Sequence, residues 1–238
     1  MMGAISTLCA YQFIVKRENE DMYDVHRLVY LATKIWVSQC GSIVEIREKV
    51  VQHLTQVFPS NDYTNRELWR EYLPHAIRLS KDKEQEGLEV RYELCLKVGR
   101  CLLVDGRTQE AVVWLEESYY WRSHLAEDSS DRLLLLHELA RAYHEDGQVQ
   151  KAVKLLEYVV AVRKKVLVEE HPSRLASQHG LAIAYQADGQ VRKAVELLEQ
   201  VVAIRNKVLV EEHLDRLASQ HELASAYQAD RCGRRSSC

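Results

Sequence analysis

Three histidines, His137, His179 and His221, recur at a constant interval of 42 residues. Imidazole is both a common metal ligand and the usual acid–base group near neutral pH. A shared ion needs its ligand nitrogens about 2.0–2.1 Å away, whereas packed helices lie roughly 8–10 Å apart axis to axis. Three rungs of a ladder do not converge on one ion, so no metal site is expected. His137 and His144 do not complete an H-E-x-x-H zinc motif, because Glu138-Leu139-Ala140 is followed by Arg141. Paired carboxylates occur at Glu169-Glu170 and again at Glu211-Glu212. General acid–base catalysis needs one such pair in one cleft; a pair repeated at successive helix ends reads as solvated surface. The basic run Arg163-Lys164-Lys165 and its echo Arg205 and Lys207 fall near helix C-termini, where cations suit the helix dipole. Cys95 and Cys101 are six positions apart on one helix, so their sulfurs diverge and inert buried thiols are expected. No catalytic residue, cofactor or enzymatic motif emerges.

These residues sit on elements that repeat. Leu133–Arg174 aligns without gaps on Leu175–Arg216, with 28 of 42 positions identical. A third copy starts at Leu217, where LASQHELASAYQAD repeats LASQHGLAIAYQAD. An earlier, more diverged copy lies upstream, VGRCLLVDGRTQEAVVWLEES against LARAYHEDGQVQKAVKLLEYV. The chain thus carries three complete units and one half unit. Each unit reads as two helices. Leu181, Ala182 and Tyr185 form one apolar stripe, Asp188-Gly189 ends the first helix, and Ala194, Val195, Leu198 and Val201 line the second. Asp131, Ser173 and Asp215 precede the first helices in phase and are expected to cap them.

In this frame the small residues are Gly99, Ala140, Ala182 and Ala224, then Ala111, Ala152 and Ala194. The aromatics are Tyr143, Tyr185 and Tyr227, and the turn glycines Gly106, Gly147 and Gly189. This pattern resembles the tetratricopeptide repeat (TPR), in the 42-residue variety of kinesin light chains, over residues 88–230. His171-Pro172 resembles that variety's inter-repeat linker, from which His213-Leu214 departs. Leu102 replaces the aromatic in the first copy. The resemblance implies an all-α fold, a helical-hairpin solenoid that holds a protein or peptide partner on its concave face. That face would be lined by Leu134, His137 and Arg141, by Ala176, His179 and Ile183, and by Ala218, His221 and Ser225. Equivalent positions vary: Arg141, Ile183 and Ser225 at one, Glu138, Gly180 and Glu222 at its neighbour.

Residues 1–58 differ in character. Ala4–Tyr11 reads as a helix, Phe13–Val15 and Met22–Val25 as strands about the turn Glu18–Asp21, and His26–Val37 as a helix with a stripe of Leu28, Leu31, Ala32, Ile35 and Trp36. Helix, hairpin and helix in that order form the end of a winged-helix, a small α/β element. AISTLCAYQFIV and MYDVHRLVYLATKIWV resemble the winged-helix segment of fungal NB-ARC/TPR proteins, NLR-like regulatory ATPases. In that family a Met-His-Asp motif sets its histidine near the β-phosphate of ADP, and Val25-His26-Arg27 matches it at the histidine only. No G-x-x-x-x-G-K-[ST] loop occurs in the sequence, so His26 binds a nucleotide only if an ATPase core lies upstream. Residues 1–58 read as a winged-helix-like remnant, 59–87 as a helical connector with a break at Pro74, and 231–238 as a tail. The alternative reading is a C-terminal fragment of a nucleotide-switched NLR-like (STAND ATPase) protein.

Composition limits the partners. The formal charge of −3 gives no reason to expect nucleic acid, and the nearest thing to a concentrated basic face is Arg231, Arg234 and Arg235 in a short tail. The apolar run Ile5–Val15 is far short of a membrane span. Six scattered cysteines without a C-x-x-C pair suit a reducing compartment, and a cytoplasmic protein is expected. The half unit at Asp215–Asp230 leaves Leu223, Ala224 and Tyr227 without the second helix they would face, so weak self-association through this helix is a further expectation.

Overall fold

A computed structural model describes residues 2–17, 23–39, 43–80, 91–122 and 125–236. They form two compact units that divide between Val51 and Gln52, ahead of the 58/59 boundary expected from the sequence. The first holds helix α1 (Met2–Ala10), strands β1 (Ile14–Lys16) and β2 (Tyr23–Val25), helix α2 (Arg27–Gln39) and the start of α3 (Ile43–Val57). The strands pair antiparallel with Val15 opposite Asp24, and Arg17 clasps the Asp24 carboxylate at 2.6 Å. That guanidinium holds the Asp24 carboxyl below its usual range. Helix, hairpin and helix follow one another as the sequence leads one to expect; the turn at 18–21 lies outside the described residues. His26 Nδ1 accepts a hydrogen bond from the Leu28 N–H, 3.2 Å, which places it at the start of α2 as a local cap. Most of the α2 stripe, including Leu28, Leu31, Ile35 and Trp36, is exposed.

The second unit is a run of helices. α4 (Arg66–Ser80) passes through Pro74 without breaking, against the expectation of an end there. A proline inside a helix costs about 3 kcal/mol. Trp69, Leu73 and Ala76 are all buried on one side of α4, and their burial outweighs the lost backbone bond. The helix is tied to the first repeat turn by Arg66 and Arg70, which donate to Asp105 Oδ1 at 2.9 and 2.7 Å. Burial works against ionising Asp105, but these two guanidinium bonds win and its carboxyl stays below the usual range.

Three helical hairpins follow: α5 (Arg91–Val104) with α6 (Thr108–Arg122), α7 (Ser130–Glu145) with α8 (Val149–Val166), and α9 (Pro172–Ala187) with α10 (Val191–Val208). Each turn is made by a glycine at φ near +77°, Gly147 and Gly189 among them, a conformation open to glycine without steric cost. The small residues sit where paired helices touch: Ala140, Ala152, Ala182 and Ala194 are fully buried. At Gly99 the helices leave no room for a side chain, since a Cβ there would lie 2.6 Å from Leu115 Cγ.

Two expectations are corrected at helix ends. The caps are not Asp131, Ser173 and Asp215. His171 Nδ1 accepts from the Ser173 N–H and His213 Nδ1 from the Asp215 N–H, both at 3.1 Å, while Ser129 before α7 makes no side-chain cap bond. With Pro172 at the first turn of α9, the capping place moves back to the residue before it, and Ser173 becomes the donor. The final helix α11 (Leu214–Ser236) runs on through the expected tail. Arg231 stands where the other hairpins have Gly147 and Gly189, so the left-handed residue that ends those helices is missing and the helix continues.

Candidate functional site: a groove on the first helices

The first helices α7, α9 and α11 carry the nine candidate groove residues. Six of them, His137, Arg141, Ala176, His179, Ile183 and Ala218, line one cavity of about 290 Å³, which Leu156 and Gly180 help to enclose. Leu134, His221 and Ser225 do not line it. Ser225 instead accepts a hydrogen bond from Gln186 Nε2 at 3.0 Å, and the His221 side chain is 82% exposed. The spacing of one helical face thus brings two rungs of the ladder together and leaves the third in solvent.

The two inner histidines are set in a dry environment. Burial pulls the His137 imidazole down to about 4, with Arg163, Arg141 and His179 pushing the same way and Glu138 opposing. Its Nδ1 is buried without a hydrogen-bond partner among the described residues. His179 is also lowered, first by burial and then by Arg205, against Glu222 and Asp215; its Nδ1 faces Ser219 Oγ at 3.3 Å. Both rings are therefore neutral at physiological pH. No group of three or more potential metal ligands occurs among the described residues. The Cys95 and Cys101 thiols are buried, and burial pushes Cys101 up to about 12 and Cys95 further, which makes thiolate chemistry unfavourable at either.

Beneath the groove lie rungs that sequence reading assigned to the helix dipole or did not see. Arg163 is buried and its Nη1 donates to the Ser173 carbonyl at 2.7 Å and to Ser177 Oγ. Arg205 does the same with the Asp215 carbonyl, 2.6 Å, and Ser219 Oγ. The signal was present, because each arginine is followed by a serine 14 positions later in both copies. A second rung joins each aromatic to the preceding hairpin: Tyr143 to Glu116, Tyr185 to Glu157 and Tyr227 to Glu199. The carboxylates accept from the phenols, and burial together with these bonds raises the Tyr185 phenol to about 12. Lys151 and Lys193 lie over the Tyr143 and Tyr185 rings at 4.9 and 5.1 Å.

A family model for the tetratricopeptide repeat matches residues 131–207 and again 173–232. Residues 131–232 are tetratricopeptide repeats. Two crystal structures of nearly identical kinesin light chain TPR-like repeats from Podosopora anserina are similar to this chain at 44% identity. One, of a point variant, covers 82% of this chain and 89% of its own with a TM-score of 0.60; the other covers 84% and 91% with 0.59. The structure of BtubC from P. vanneervenii shares the TPR fold at 15% identity and a TM-score of 0.56, over 70% of this chain and 66% of its own. A nucleotide-binding leucine-rich repeat (NLR)-like protein of Hyaloscypha variabilis is 31% identical over 122 residues, which is 50% of this chain and 12% of that protein. The chain therefore spans a small part of that relative's length.

Proposed function

We propose that the TPR segment binds an extended segment of a protein partner on the face shared by α7, α9 and α11, and that it works as an interaction module and not as an enzyme. The observation that carries this reading is the shared cavity: six positions chosen for facing one side line a single recess between successive first helices. The invariant histidines recur in the recess, and the positions of Arg141, Gly180 and Ile183, which also line it, vary between copies, as a specificity surface requires. A photoreactive residue in place of Ala218 should crosslink the partner in extracts, and one in place of the exposed Val113 on α6 should not. The double variant Arg141→Ala, His179→Ala should weaken capture at least tenfold while circular dichroism stays unchanged. Capture from Val113 alone, or capture indifferent to the double variant, would place the interface elsewhere.

The similarity to the NLR-like protein supports a second reading, in which this chain corresponds to part of a nucleotide-switched regulator. His26 would then sit close to a nucleotide held by another segment. On either reading the isolated chain should show no heat of binding with ADP or ATP and magnesium. Micromolar affinity in that titration would overturn the view that residues 1–58 are a remnant without a phosphate cradle.

A further inference from the structure

We infer that the middle rung of the groove, at Gly180 and Ile183, is an anchor pocket for one uncharged apolar side chain of the bound segment. The inference rests on the groove reading above and adds the chemical class of the residue recognised.

Position 180 is the equivalent of Glu138 and Glu222, and position 183 of Arg141 and Ser225. In α7 the polar pair is present and engaged: Glu138 is buried, with Oε2 3.5 Å from Arg141 Nη1 and Oε1 3.2 Å from Arg100 Nε. In α9 both partners are gone at once. Gly180 supplies no side chain and Ile183 supplies a hydrocarbon, so the rung loses an ion pair and gains a recess. A Cβ on Gly180 would lie 3.3 Å from His137 Cε1 and 3.7 Å from Leu156 Cδ2. Both residues line the cavity, so a glutamate side chain at 180 would start against its wall.

The charge pattern selects the occupant. At this recess Arg141 faces Glu138. Arg205 is spent on the Asp215 carbonyl and Ser219. The two imidazoles carry no charge at neutral pH. An anionic ligand group would lose its hydration there, meet cations already engaged and face the Glu145 and Asp215 carboxylates that also line the recess, whereas an apolar one gives up no hydration. Of the remaining walls, Leu156, Ile183, Ala176 and Ala218 are hydrocarbon, and His144, Glu145 and Asp215 are polar. At about 290 Å³ the space lies at the lower edge of ligand pockets, which run from about 300 to 1,000 Å³, and suits a single leucine-, methionine- or phenylalanine-sized side chain more than a whole metabolite.

The test pans a phage library of random nonapeptides against the full chain, then measures the selected peptides by fluorescence anisotropy. Peptides are expected to share one large apolar residue, whose change to alanine weakens binding about 10- to 100-fold, as loss of one buried apolar side chain does. Gly180→Glu installs the residue that its own neighbouring repeats carry, and should abolish binding while circular dichroism shows the helices still formed. Gly180→Ala, which keeps the recess but narrows it, should weaken binding several-fold and shift preference towards smaller anchors. Peptides that tolerate Gly180→Glu but are lost with Arg141→Ala would overturn the pocket and leave the groove standing. Peptides indifferent to both would overturn the groove as well. Selection of charged residues at the anchor position would refute the apolar assignment directly.

Discussion

The tract LASQHGLAIAYQAD opens α9 and LASQHELASAYQAD opens α11, two changes in fourteen positions, yet the two are not equally covered. Leu175 is 3% exposed and its equivalent Leu217 47%; Tyr185 is 9% exposed and Tyr227 42%. The side facing the preceding hairpin is the same in both. Ser177 and Ser219 are fully buried, each receives its arginine, and each tyrosine finds its glutamate. The other side differs, with Ala182 fully buried and Ala224 exposed. In a repeat protein, sequence sets what a helix offers, and the neighbours decide how much of it is taken up.

The largest expected effect breaks that equivalence directly. Leu175→Ala should destabilise the protein by about 3 kcal/mol, within the range for a buried leucine. Leu217→Ala should cost less than about 1 kcal/mol, because most of the transfer term is absent when the side chain is half in water. Urea titration of the two variants decides it, and equal costs would mean that α11 is covered in solution. Such cover would revive the expectation of self-association through α11, which sedimentation at several concentrations would reveal.

A pH titration sharpens the same contrast at the histidine rung. His137 is neutral in the fold, with its ring held at about 4 against an ordinary 6.5. The charged groups facing it are Arg141 and Glu138 on its own helix, Arg163 on α8 and, when protonated, His179 on α9. The unfolded chain takes up the proton first, so this contribution is complete above pH 6.5, falls as pH drops from 6.5 towards 4, and levels off below. The loss is on the order of 3 kcal/mol at 1.36 kcal/mol per unit. His137→Gln should flatten that part of the stability curve. A curve unaltered by His137→Gln would show that burial of this ring is not the cause.

How much of this was readable beforehand follows from the range of each interaction. The hairpins, their turn glycines and the small contact residues were legible because they are set by spacing within one unit. Helical period puts the candidate groove positions of each helix on one face, and six of the nine line one recess. What was not legible depends on partners in other hairpins. The Arg163–Ser177 and Arg205–Ser219 rungs join different hairpins. The passage of α4 through Pro74 rests on burial of Trp69. The recess itself depends on His137 and Leu156 standing over Gly180. The continuation of α11 to Ser236 follows a local rule, since Arg231 stands at the position of the turn glycines.

The smallest expected effect concerns the helix starts. His171→Ala removes the Nδ1 acceptor from the first turn of α9 and should cost about 1 kcal/mol, as loss of a capping side chain does. His213→Ala at the more open start of α11 should cost less, and the two can be compared by thermal melts. His171→Asp should recover stability, because a carboxylate can take the same bond at a helix N-terminus. Failure of that rescue would show that the imidazole contributes by packing.

The buried arginines have a mechanical consequence. One nitrogen of Arg163 and one of Arg205 each hold a backbone carbonyl and a hydroxyl of the next helix, so the joint between hairpins is braced by a planar group of fixed reach. The earlier joint is made otherwise. Arg122 stacks over the Tyr92 ring and meets the Asp131 carboxylate at 3.0 Å, and Leu135 takes the place of the serine. A side-chain carboxylate swings where a backbone carbonyl does not. When the solenoid is loaded, bending should therefore collect at the α6–α7 joint, while α7 to α11 turn together as one stiff lever.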